Sequence, residues 1–85
     1  MTPEEEVRRG REAALITSNE IYKEAMIIIR AQMMETFYNT TTDQTSERDE
    51  IWRQGKVVDW FERQIEVVMK TGRMAQATLN QPKQD

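Results

Sequence analysis

Hydrophobic positions along the chain recur every three or four residues, the spacing of one face of an α-helix. Tyr22, Met26, Ile29, Met33 and Phe37 follow one another at steps of four, three, four and four. Ile21, Ala25 and Ile28 lie beside that stripe, and Ile27 and Met34 widen it into an arc broader than one neighbouring helix covers. A helix over 19–38 is predicted. Further on, Ile51, Val58, Ile65, Gly72 and Leu79 stand seven apart, with Phe61, Val68 and Ala75 at the intermediate positions and Gln54 as the polar member of that second row. This heptad-like pattern predicts a second long helix over 44–71. Between them Asn39-Thr40-Thr41-Thr42-Asp43 is rich in β-branched and cap-prone residues with nothing apolar, which suits a short connection.

Start and stop signals refine these elements. Thr2 is a helix cap, Pro3 suits the first helical position, Glu5 has capping-box spacing, and Glu4 to Glu6 sit where the helix dipole is positive. A first helix over 3–16 follows, with Gly10 costing about 1 kcal/mol relative to alanine. Thr17-Ser18-Asn19-Glu20 is a second start signal, at which the helix breaks or kinks. Gly72 has two readings. It either caps the second long helix in the left-handed conformation, leaving a short helix over 73–79, or lies within a helix that continues, because the apolar period survives across it. Asp49–Arg53, Asp59–Arg63 and Glu66–Lys70 each place an acid four residues before a base, the favourable order for an intrahelical pair. The tail over 80–85 is polar, contains Pro82 and is expected to fray.

The fold expected is a single all-α domain over 1–79: an antiparallel helical hairpin with a short N-terminal helix, completing a bundle by oligomerisation. Two long helices bury one seam between them, and the remaining apolar surface asks for a second subunit. The self-association residues expected are Ile28, Ile29, Met33, Phe37, Trp52, Val58, Phe61, Ile65 and Val68. A homo-oligomer, a dimer or larger, is the expected state.

Composition narrows the chemistry. Of 85 residues, 38% are hydrophobic and 32% charged, too apolar for a disordered chain and too polar for a membrane protein. The longest apolar run, Ala25 to Ile29, falls far short of a bilayer span, and the acidic start lacks the basic region of a secretory signal, so a cytoplasmic protein is expected. Cysteine and histidine are absent, which excludes disulfides, thiolate chemistry, zinc-finger sites and histidine bases. Glu20/Glu24 and Glu62/Glu66 have helical spacing, but metal sites in bundles normally add histidine. No catalytic residue, metal site or cofactor is therefore expected, and the protein reads as a non-enzyme. Arg53, Lys56, Arg63 and Lys70 form a stripe interleaved with Trp60, the candidate face for a partner or for nucleic acid. The net charge of −3 and the acids preceding three of those bases favour a solvated, internally paired face.

Leu15 to Leu79 resembles a group of short helical proteins of unassigned function encoded in tailed-phage and prophage genomes. The matching pieces are Asn19 and Tyr22, Ala25-Met26, Phe37-Tyr38, Asn39-Thr40, Thr45, Arg48, Ile51-Trp52, and Gly72 with Ala75 and Leu79. In that outline an aspartate directly precedes the threonine of the turn, whereas here Gln44 precedes Thr45 and Asp43 stands one residue earlier, so Arg48 is expected to find a different partner. Genes of this kind often lie near packaging or head-assembly genes. The resemblance implies a phage context and protein–protein contacts, in a head-assembly or DNA-packaging accessory. The alternatives are a small terminase-like nucleic-acid-binding subunit and a host-directed inhibitor.

Overall fold

In a computed structural model that describes residues 1–82, three helices make up an all-α chain: α1 (Pro3–Ser18), α2 (Glu20–Tyr38) and α3 (Thr45–Leu79). The Thr2 hydroxyl oxygen accepts the Glu5 N–H at 3.2 Å and starts α1, with Pro3 in its first turn. Asn19, out of the three cap candidates in its segment, makes the break before α2. Its backbone is extended (φ −65°, ψ 130°) and its side-chain oxygen accepts the Tyr22 N–H at 3.0 Å. Thr17 and Ser18 instead donate their hydroxyls back to the Ala14 and Leu15 carbonyls, inside α1.

Contacts between α3 and the other two helices run in opposite sequence order. Gly72 meets Gly10, Gln76 accepts from Arg11 at 3.3 Å, Met69 lies 3.6 Å from the Thr17 hydroxyl, Asp59 and Glu62 meet Arg30, and Gly55 sits beside Met33. The first helix thus packs against its own chain.

The closest approach is between two glycines. A Cβ on Gly72 would fall 2.9 Å from the Gly10 Cα and 2.9 Å from the Glu6 carbonyl oxygen; one on Gly10 would fall 2.9 Å from the Gly72 Cα. No residue among those described has positive φ, so Gly72 does not cap anything. This corrects the separate helix over 73–79: α3 is continuous from Thr45 to Leu79, and Gly72 serves the backbone contact with α1.

The product is long and thin. At about 1.5 Å per residue the 35 residues of α3 span roughly 52 Å. The molecule measures 68 × 24 × 17 Å, and its radius of gyration is 18.8 Å, against about 12 Å for a compact domain of this length. Among the described residues, buried hydrophobic side chains are confined to Val7, Ala13 and Ala75, all around the glycine crossing, and α2 buries none. Residues 83–85, the end of the tail expected to fray, lie outside the described residues.

Candidate interaction surfaces

With Tyr22, Met26 and Met33 of α2 and Ile51, Gly55, Val58, Glu62 and Ile65 of α3 half-buried along the seam, two broad faces remain. One is polar. Arg30 donates to Asp59 at 3.1 Å and to Glu62, and Lys23, Ile27 and Glu66 border the same groove. Hydrogen bonds from the guanidinium to Glu62 and Asp59 raise the Arg30 pKa above its ordinary value, so this arginine is charged at every accessible pH.

The opposite face is apolar. Ala13 and Ile16 of α1 line a shallow groove with Phe61, Ile65 and Val68 of α3, and Gln64, Arg9 and Glu12 edge it. Val57 continues the Phe61 side of α3 one turn back. On α2, Ile21, Ala25, Ile28 and Gln32 follow at steps of four, three and four on the side away from Arg30.

The turn from α2 to α3 is held by Arg48. Its Nε donates to the Thr40 hydroxyl oxygen at 2.8 Å, its Nη2 donates to the Thr40 carbonyl at 3.4 Å, and its guanidinium lies 4.8 Å from the centre of the Phe37 ring. The partner of Arg48 is therefore a threonine and an aromatic face in place of an acid. The Thr41 hydroxyl donates to the Asp43 carboxylate, and this, with a backbone N–H and the nearby Arg48 charge, lowers the Asp43 pKa. The Gln44 side chain makes no cap bond to α3; its oxygen accepts the Thr41 N–H at 2.7 Å instead.

The expected self-association residues divide four ways. Met33, Val58 and Ile65 lie half-buried in the seam between helices of the same chain. Ile29, three residues after Met26 and four before Met33, keeps to the seam side of α2; Ile28, Phe61 and Val68 belong to the apolar face, and Phe37 serves the turn. Trp52 stands apart on the outer side of α3, 64% exposed, with the Lys56 ammonium 5.2 Å from its ring.

The outer stripe is arranged differently from the internally paired face expected. Arg53 bridges Glu50 at 2.8 Å, three residues back, and not Asp49. Asp59 is drawn across to Arg30 and away from Arg63. Among the described residues no salt bridge joins Lys56, Arg63 or Lys70 to an acid, and Trp60 lies between them, 61% exposed. Arg30 was not a candidate from the sequence. Its signal is weak, because the only arginine of α2 identifies no partner 29 and 32 residues away.

No grouping of three or more metal-ligating side chains occurs among the described residues, and no described helix is long and apolar enough to cross a membrane. Comparison with protein-family models, with curated proteins and with solved structures finds no match.

Proposed function

We propose that this protein is a non-catalytic, self-associating helical protein that acts through protein–protein contacts: a helical hairpin that completes a bundle with further copies. The observation that carries this reading is the mismatch between core and surface. Three small hydrophobic side chains are buried among the described residues, while Ile16, Ile21, Ile28, Val57, Trp60 and Phe61 stand exposed. A chain this short gains too little from Val7, Ala13 and Ala75 to hold three helices unaided, and association supplies the missing burial. Its resemblance to short phage-encoded helical proteins supports a role in the host cytoplasm as a head-assembly or DNA-packaging accessory.

Light scattering after size exclusion, across a range of concentrations, tests the self-association. The expected result is a stable species at twice the 10.1 kDa chain mass or above. A monomer at every concentration overturns it.

A second reading, binding of nucleic acid, is favoured by one observation: Lys56, Arg63 and Lys70 have no acid bridged to them, and Trp60 is exposed among them. Repetition of this weak stripe in an oligomer multiplies its grip by avidity. A mobility shift at low salt that falls steeply as salt rises is the result this reading requires.

A further inference from the structure

We infer that the surface completing the fold is the charge-free face of the α2–α3 half, and that its occupant is a second copy of this chain related by a two-fold axis. The inference rests on the self-association proposed above and specifies where it occurs.

The two faces of this half are sorted by charge. On one, Lys23, Arg30, Asp59, Glu62 and Glu66 crowd together and the cross-helix ion pairs form. On the other, the α2 row Ile21, Ala25, Ile28 and Gln32 and the α3 row Val57, Phe61, Gln64, Val68 and Thr71 contain no ionisable side chain; Arg9 and Glu12 border it at the α1 end, Glu24 and Glu35 flank the α2 row, and Arg53, bridged to Glu50, ends the α3 row one turn before Val57. A two-fold interface sets one patch against itself, so a charge near the axis would face its own sign. A strip of isoleucine, valine, phenylalanine and glutamine avoids that repulsion. The side chains on it are available for burial: Ile21 is 71% exposed, Val57 59% and Phe61 51%.

Area argues for the same occupant. The accessible surface is 7098 Å², whereas a folded monomer of this mass exposes about 5,300 Å², an excess of about 1,800 Å² per chain. Taken from two copies, that excess falls within the roughly 2,000–5,000 Å² buried by obligate homodimers. The need is local, because the α1 end has its glycine-packed core while α2 buries no residue. Pairing two α2–α3 halves across the uncharged strip gives a four-helix bundle in which Ile28, Val57 and Phe61 acquire the second layer they lack.

The test compares glutamate substitutions on the two faces, all at exposed positions, with solution mass measured by light scattering and helicity by circular dichroism. Wild type is expected at about 20 kDa, twice the chain mass. Ile28→Glu and Val57→Glu are expected to fall to the monomer mass and to lose helicity at the same protein concentration, because the single chain buries too little to hold its helices. Ile27→Glu and Met34→Glu, on the side of Arg30 or away from α3, are expected to stay dimeric. A dimer that survives Ile28→Glu and Val57→Glu, or one that Ile27→Glu dissociates, overturns the face while leaving self-association standing. A wild-type mass above the dimer overturns the two-fold arrangement, and a wild-type monomer overturns the self-association itself.

Discussion

Three glycines sit within helices here, and their surroundings give them opposite consequences. At Gly72 an added Cβ meets the backbone of α1, the Gly10 Cα and the Glu6 carbonyl oxygen, both at 2.9 Å. Neither atom can turn away, so the helices must separate. Gly72→Ala is therefore expected to lose about 1–3 kcal/mol from overpacking, offset in part by the roughly 1 kcal/mol that alanine gains in helix propensity. At Gly55 the only close atom is the Met33 Cε, 3.1 Å away at the end of a flexible side chain. Gly55→Ala is expected to be neutral or to gain up to about 1 kcal/mol. Urea unfolding of both variants at one protein concentration checks the pair, and equal effects would contradict the glycine contact. Asp43 gives a pH prediction. Its pKa is lowered in the folded chain, mainly by the Thr41 hydroxyl, so its contribution is present above the ordinary carboxylate range of about 4 and is lost as pH falls through the lowered value. Thermal melts at neutral pH and at about pH 3 should therefore show a smaller acid loss for Asp43→Asn than for wild type.

For the elements, the sequence was most informative where chemistry is local. Thr2, Pro3 and the three glutamates after them specify the start of α1 within a single turn, and the same holds for the polar connection before α3. Asn19 was one of three cap candidates, and only the geometry separates it from Thr17 and Ser18, whose hydroxyls bond backwards. Asn19→Ala is expected to cost about 1 kcal/mol through loss of the Tyr22 N–H partner, measured by the shift in the urea midpoint. Ser18→Ala should cost less, since its hydroxyl caps nothing. Gly72 was ambiguous for a physical reason. Glycine ends helices and also admits close backbones, and the residue that decides between these roles, Gly10, lies 62 positions earlier in the chain. The second row of α3 divides along its length: Ala75 is buried at the glycine crossing, whereas Phe61, expected at a self-interface, stands 51% exposed beside the first row, Ile51, Val58, Ile65 and Gly72, which turns toward the other helices. The acid–base pairs along α3 lost Asp59 to an arginine of another helix, which no spacing rule within one helix could reveal.

At the scale of the whole molecule, length and thinness dominate. Two copies joined side by side along the uncharged strip thicken the particle without extending it, whereas end-to-end contact through the α2–α3 turn would nearly double its length. Small-angle scattering of the associated species should therefore give a longest dimension close to the 68 Å of the single chain. A value well above that would place the contact at the ends. The elongated form also spreads the outer stripe of Lys56, Trp60, Arg63 and Lys70 along one edge of the molecule.

The crossing of Gly10 and Gly72 bears finally on the order in which the chain can fold. Its buried centre joins residues 62 apart, and the Arg11–Gln76 hydrogen bond spans 65. Local helix formation gives α1 nothing to bury against, and closing so long a loop comes before any return from the contact. During synthesis α1 must therefore wait until the last turns of α3 have been made, with Val7 and Ala13 uncovered meanwhile. Their small size limits what that waiting helix offers to wrong partners, since an alanine, a valine and a glycine present little apolar surface on which to aggregate.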